Sequence, residues 1–208
     1  MQVIAISAPN NPREERLLRR QHKLRAEVFS GRLGWDVDVQ DGIEVDHFDA
    51  FNPTYILAVL NSDQVVGCAR LLPATGPTMI QDIFPSLLPD GRLHSHSGLV
   101  ESSRFCVDTQ FVEERGRTSV HEVTLAMFAG IIEWSIVNSF SEIVTVTDLR
   151  FERILSRVGW PLQRLASPKK IGVTTAVAGT LPANEAVFQR LRPVRYSALL
   201  TMPVSQAA

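Results

Sequence analysis

The sequence lacks most signatures that fix a chemistry early. No G-x-G-x-x-G follows a strand-like segment and no G-x-x-x-x-G-K-[ST] occurs, which excludes the common dinucleotide and phosphate cradles. There is no C-x-x-C pair and no H-E-x-x-H. His94-Ser95-His96 offers two imidazoles without a third ligand placed by spacing, so no metal is expected. Only two cysteines are present, Cys68 and Cys106, each in an apolar strand-like stretch. Residues 1–9 carry no secretory pattern, so both cysteines read as free, buried thiols of a cytoplasmic protein. Net charge is only −1, which excludes a global field drawing the chain onto nucleic acid or an anionic membrane. Basic–aromatic alternation of the kind that binds single strands is missing too. The most apolar stretch, 120–137, is interrupted by Glu122 and Glu133 and falls short of the ~20 apolar residues of a membrane span.

What is present is the composition of a packed globule. Of 208 residues, 45% are hydrophobic and 21% charged, which suffices for one domain spanning 1–208. A short strand is expected at 3–7. Asn11-Pro12 opens a helix whose stripe of Leu17, Gln21, Leu24 and Val28 carries it to about Phe29, before Ser30 to Gly34 breaks it. Residues 36–49 are acidic and read as a loop. Segments 55–60 and 64–72 form a hairpin about Asn61-Ser62-Asp63. Residues 73–98 hold Pro73, Pro77, Pro85 and Pro89 and read as a connection with little regular structure. A strand follows at 99–107, then a long helix over 119–138. Ser119 and Glu122 have capping-box spacing there, and Val123, Met127, Ile131 and Trp134 form the core stripe. Strand 143–147, a short helix over 149–158, strand 171–178 and a last helix over 181–191 complete the chain. The pattern predicts an α/β (α+β) domain with a central mixed sheet flanked by helices.

The charge balance hides a local concentration. Arg25-x-x-x-Phe29 is followed by Trp35, by Asp46-x-x-Asp49, by Arg70 within Gly67-Cys68-Ala69-Arg70-Leu71, and by Glu101-Ser102-Ser103-Arg104-Phe105. Charges at strand ends are usually solvated or salt-bridged. The combined spacing, however, together with Asp82-Ile83-Phe84, the 145–147 strand, Arg153-Ile154-Leu155 and Gly159-Trp160, resembles the LuxI-type acyl-homoserine lactone synthases of bacterial quorum sensing, most of all those of rhizobial plasmid-transfer systems. The resemblance covers most of the chain and implies a twisted GNAT-like sheet with an acyl-binding cleft. It also implies two substrates, S-adenosylmethionine and an acyl thioester on acyl carrier protein or coenzyme A, and no cofactor or metal.

Chemistry assigns tasks to the matching residues. The sulfonium wants aromatic faces, offered by Phe29 and Trp35 with Phe105 nearby. The ammonium wants carboxylates, offered by Asp46 and Asp49. The substrate carboxylate wants a guanidinium fork, offered by Arg25, Arg70 and Arg104. The same five charges could instead form a network that shapes the pocket. A carboxylate must take the amine proton, Glu101 by preference and Asp46 otherwise. The resemblance places the acyl chain among Met79, Leu99, Ser103, Met127, Thr145 and Thr147. Arg115-Gly116-Arg117-Thr118 would hold the thioester carrier's phosphates at a helix start. Arg150, Arg153 and Arg157, with Arg164, Lys169 and Lys170, would face an acidic acyl carrier protein or else form a solvated surface paired with Glu152. Two competing readings are an ordinary GNAT-type N-acyltransferase and an inactive S-adenosylmethionine-binding protein. Oligomeric state is not legible.

Overall fold

A computed structural model describes residues 1–60, 63–109 and 120–200. The expected Asn61-Ser62 turn, the Arg115 to Thr118 loop and the Ser119 cap lie outside the described residues. The centre is a nine-stranded mixed sheet. Its main path runs β11 (Ala198–Leu200), β1 (Gln2–Ile6), β4 (Thr54–Val59), β5 (Val65–Pro73), β6 (Leu99–Val107), β7 (Glu142–Asp148), β10 (Thr174–Pro182), β8 (Gln163–Arg164), with β9 (Lys169–Ile171) also on β10. β1–β11 and β6–β7 are the parallel pairs; the other neighbours are antiparallel. A parallel pair needs a long crossover, and α3 (Val120–Val137) supplies it between β6 and β7.

Side-chain alternation along the strands divides the core in two. On one face, Val3, Ile56, Ala69, Val100 and Ile143 meet Met127, Phe128 and Ile131 of α3, with Leu155 of α4 (Leu149–Arg157) and Phe188 of α5 (Glu185–Leu191). Gly130 is the contact point there, since a Cβ on it would lie 2.5 Å from Val3 Cγ1. On the other face, α1 (Pro12–Arg25) lays Leu17 and Leu24 over Ile4, Leu57, Cys68 and Cys106. Further along, Ile80 of α2 (Met79–Ile83), Leu87 and Leu88 cover Leu99, Val144 and Ala178.

The expected elements are all found, with shifted ends. The first helix is α-helical only to Arg25 and continues as a π-helix over Ala26–Arg32. Its start follows the sequence signal: Asn11 caps the Glu14 amide and Pro12 occupies the first turn. The acidic segment is not a plain loop. It holds a small hairpin, β2 (Val39–Gln40) with β3 (Ile43–Glu44), and a 3-10 turn over His47–Ala50. β10 extends to Pro182, four residues past the expected end of the strand, and the last helix starts only at Glu185, capped by Asn184. Strands β8, β9 and β11 are too short to show a period.

Candidate active site

Four elements aim charge at one point on the α1 face of the sheet. Arg25 closes α1 and is fully buried. Its Nε donates to Glu44 and its terminal nitrogens hold Asp49 in a fork at 2.8 and 2.9 Å. Arg70, also fully buried, reaches from β5 to Asp46, to Asp49 at 2.9 Å and to Ser103 Oγ at 3.1 Å. Arg104 comes from β6. Its Nε and one terminal nitrogen donate to the same oxygen of Glu44 at 3.1 and 3.0 Å. Three arginines thus face three carboxylates, and the unit charges cancel.

The local sequence explains how the acidic side holds its shape. Asp46-x-x-Asp49 is a reciprocal capping box: Asp46 accepts the Phe48 amide at 2.9 Å and Asp49 accepts the Asp46 amide at 2.8 Å. Tyr55 Oη adds a bond to Asp49 at 2.7 Å. Phe48 lies under Arg70, ring centre 5.5 Å from the guanidinium carbon. Burial alone would raise the Asp49 carboxyl, but Arg25 and Arg70 outweigh it and hold the group far below the usual carboxylate range. Burial and the Asp49 charge push the Tyr55 phenol well up. His22 Nδ1 lies 3.0 Å from the Glu44 carbonyl, so that nitrogen carries the proton. Burial and Arg25 keep the ring's pKa low.

Arg104 reaches the cluster because the sheet is irregular there. Cys68 pairs with Cys106 and Arg70 with Ser103, so two steps on β5 answer three on β6. That is a β-bulge, and Arg104 sits in it at φ 53°. A side chain other than glycine at positive φ costs roughly 1–2 kcal/mol. The bulge turns Ser103 and Arg104 to the α1 face together.

The aromatic wall is Phe29 and Trp35, stacked at 5.2 Å and 10°. Phe29 is buried, whereas Trp35 is 40% exposed and offers its outer surface. Arg104 lies 5.5 Å from the Phe29 centroid. Glu101 borders the cluster from β6. Its two oxygens accept the Met79 amide at 3.0 Å and the Ile80 amide at 2.6 Å at the start of α2. Burial raises its pKa against the pull of those amides and of Arg70.

Beyond Leu99–Glu101, which pair with Glu142–Val144, no further ladder joins β6 and β7. The two strands part there, bridged by a bond from Thr145 Oγ1 to the Ser102 carbonyl at 2.8 Å.

The structure therefore brings Arg25, Phe29, Trp35, Asp46, Asp49, Arg70, Arg104 and Glu101 into one neighbourhood. Phe105 is not part of it. The bulge leaves Phe105 on the α3 face, against Phe128 at 5.3 Å and Phe151 at 5.0 Å. The six residues expected along the acyl chain are not gathered either. Ser103 and Met79 face the arginines. Leu99 packs under α2, whereas Met127 lies under α3 against Gly67, on the opposite side of the sheet. Thr145 and Thr147 share the face of Ile143. Alternation along strands separates what sequence listed together. The hub that sequence reasoning missed is Glu44, wholly buried between two arginines. Its signal was its place two residues before Asp46 in an acidic segment, which gave no hint of burial.

His96 is exposed and pairs with Glu142 at 3.1 Å. Arg150, Arg153, Arg157, Lys169 and Lys170 are exposed, and Glu152 pairs with Arg164 alone of that set. No helix among the described residues is long and apolar enough to cross a membrane.

Three comparisons bear on this geometry. The family model described as autoinducer synthase matches residues 10–191. A probable acyl-homoserine-lactone synthase of Sinorhizobium fredii (strain NBRC 101917 / NGR234) is 62% identical over 208 residues, 100% of each chain. Among solved structures, the AHL synthase LasI is 33% identical with a TM-score of 0.79, covering 91% of this chain and 92% of that one. A CoA-dependent acyl-homoserine lactone synthase, BjaI, with SAM and isopentyl-CoA is 25% identical with a TM-score of 0.83, covering 97% and 94%.

Proposed function

Because the chain belongs to the autoinducer synthase family, we propose that it makes an N-acyl-L-homoserine lactone from S-adenosylmethionine and an acyl thioester, releasing methylthioadenosine. The observation that carries this reading is the charge-balanced arginine–carboxylate cluster with an open aromatic surface on one side and a buried, pKa-raised carboxylate on the other. The whole of 1–208 acts as one GNAT-like synthase unit, and it works in the cytoplasm, where both substrates are made.

Chemistry orders the steps. The sulfonium lies against Trp35, the Asp46 side of the cluster receives the ammonium, and the substrate carboxylate meets arginine. Glu101 takes the amine proton. Each of its oxygens already accepts one amide, and a carboxylate oxygen has a second lone pair, so the group can be held and still act as base. The freed amine attacks the thioester carbonyl, the C–S bond breaks, and the thiol carrier leaves. The backbone N–H groups that face β7 between Arg104 and Val107, where β6 has left its ladder with that strand, are offered to the developing oxyanion. The substrate carboxylate then attacks its own γ-carbon and expels methylthioadenosine. That step is intramolecular, so orientation is the main demand.

The thioester enters where β6 and β7 part. The exposed Arg150, Arg153 and Arg157 of α4, with Lys169 and Lys170 near by, suit an acidic acyl carrier protein, and coenzyme A is the other donor to test.

The test is direct. Purified protein is incubated with S-adenosylmethionine and a panel of acyl-carrier and coenzyme A thioesters, and products are read by mass spectrometry. Lactone and methylthioadenosine are expected in equal amounts with at least one donor. Absence of methylthioadenosine with every donor ends the synthase reading.

A further inference from the structure

The two cysteines take no part in the chemistry above, yet they are placed against each other. Cys68 of β5 and Cys106 of β6 are direct partners in the antiparallel ladder. Their sulfurs lie 3.4 Å apart, and both side chains are buried beneath α1. Directly opposed residues of antiparallel strands have Cα atoms about 4.5–5.5 Å apart, inside the range that disulfides span. Closing the sulfurs to a bond of about 2.0 Å therefore takes side-chain rotation and little backbone movement. The chain has no third cysteine to compete for either one.

The pair also borders the bulge. The next ladder pair, Arg70 with Ser103, already lies across it. The Cys68 thiol donates to the Arg104 carbonyl at 3.5 Å. Arg104 is the bulge residue, at φ 53°, and its guanidinium holds Glu44. A disulfide has no S–H. Oxidation therefore removes the contact to Arg104 while tying the two strands together beside it.

Burial selects the oxidant. It pushes the Cys106 thiol up, as does the neighbouring Cys68, against the pull of Arg25 and Arg32. The pair is thus slow to react, and bulky disulfides such as glutathione disulfide are shut out. A small peroxide enters through local opening of the α1 face.

We propose that Cys68 and Cys106 form a peroxide-sensitive dithiol whose oxidation to a disulfide weakens the arginine–carboxylate cluster through Arg104. One sulfur, as thiolate, attacks an oxygen of hydrogen peroxide. The O–O bond breaks, giving a sulfenic acid and hydroxide. The second sulfur attacks the sulfenic sulfur, the S–O bond breaks, and the departing hydroxide takes the second thiol proton as water. Two thiols lose two electrons, and one peroxide becomes two waters. The partner sulfur is already in contact, which favours this closure over further oxidation of the first sulfur.

The test uses the whole protein. It is treated with hydrogen peroxide, unfolded in iodoacetamide to cap free thiols, and weighed by mass spectrometry. A single chain without caps and lighter by two hydrogens is expected, and two caps after prior reduction with dithiothreitol. Affinity for S-adenosylmethionine, read by calorimetry, is expected to fall about 5–10-fold on oxidation and to return on reduction. Oxidised methionine adds oxygen and is not reversed by dithiothreitol, so it does not mimic this result. Cys106→Ala keeps the Cys68 contact to Arg104 but cannot close the bond. Its affinity is expected to withstand the same treatment. Two caps after peroxide, oxygen added to sulfur, a bond between two chains, or unchanged affinity in the oxidised single chain overturns the proposal. The coupling rests on the S-adenosylmethionine reading. Reduced wild type that neither binds this ligand nor releases methylthioadenosine overturns both, whereas intact thiols after peroxide overturn the disulfide and leave that reading standing.

Discussion

Glu44 and Arg104 are joined by two hydrogen bonds, at 3.0 and 3.1 Å, across 60 positions of chain. The same Glu44 side chain receives Arg25 Nε, and it is wholly buried. One carboxylate therefore ties the end of α1 to the bulge of β6. Loss of its charge strands the buried Arg25 and the largely buried Arg104, which costs about 3–5 kcal/mol when a buried pair is broken from one side. Glu44→Gln is expected to lose stability on that scale in urea titrations and to lose S-adenosylmethionine binding with it. A loss under about 1 kcal/mol with normal binding would show that Glu44 is not the hub.

Glu101 is held by two amides and lifted above the usual carboxylate range by burial. A base must be ionised to act, so kcat/KM is expected to rise with pH through an acid limb above the ordinary glutamate value of about 4.3. Glu101→Gln should lower turnover at least about 100-fold and leave S-adenosylmethionine binding largely intact. Equal losses in turnover and binding would make Glu101 a structural or binding group instead.

Asp49 presents the opposite case, because its carboxyl is held far below its ordinary value by Arg25 and Arg70 despite burial. Its folded-state pKa is depressed, so its contribution to stability is fully present above the unfolded value of about 3.9. That contribution fades as pH falls through the lowered pKa. Asp49→Asn should destabilise the protein by about 3–5 kcal/mol at neutral pH, and by less in strong acid. Denaturant midpoints measured from pH 7 down to pH 2 would refute this if variant and wild type stayed parallel.

Trp35 rests on Phe29 with its outer face open. Trp35→Ala should raise KM for S-adenosylmethionine about 5–30-fold, the range of a cation–π contact of about 1–2 kcal/mol, with little change in unfolding midpoint. Trp35→Phe should recover most of the affinity. An unchanged KM in Trp35→Ala would remove the sulfonium from this surface.

How much of this was legible in the chain differs from element to element. The N-terminal helix was readable because Asn11-Pro12 and the Leu17, Leu24 stripe are local signals, but its π-helical continuation over 26–32 was not. Asp46-x-x-Asp49 was read only as a pair of charges. Its capping-box role is also local, and the spacing carried it. Glu44, by contrast, could not be recognised, because nothing near it in sequence says that α1, β5 and β6 close over it.

The sequence by itself determined the chemistry on offer: three arginines, their carboxylates, an aromatic pair and Glu101, at spacings that point to one family. It also determined the helix and strand order, because periodicity and turn residues act over a few positions. Tertiary structure decided which of these groups meet. One added residue in β6 turns Arg104 toward Glu44 and leaves Phe105 on the far side of the sheet. A register shift has no local signature, since it is set by pairing between strands more than thirty residues apart, and side-chain alternation then carries that shift into which face each group serves.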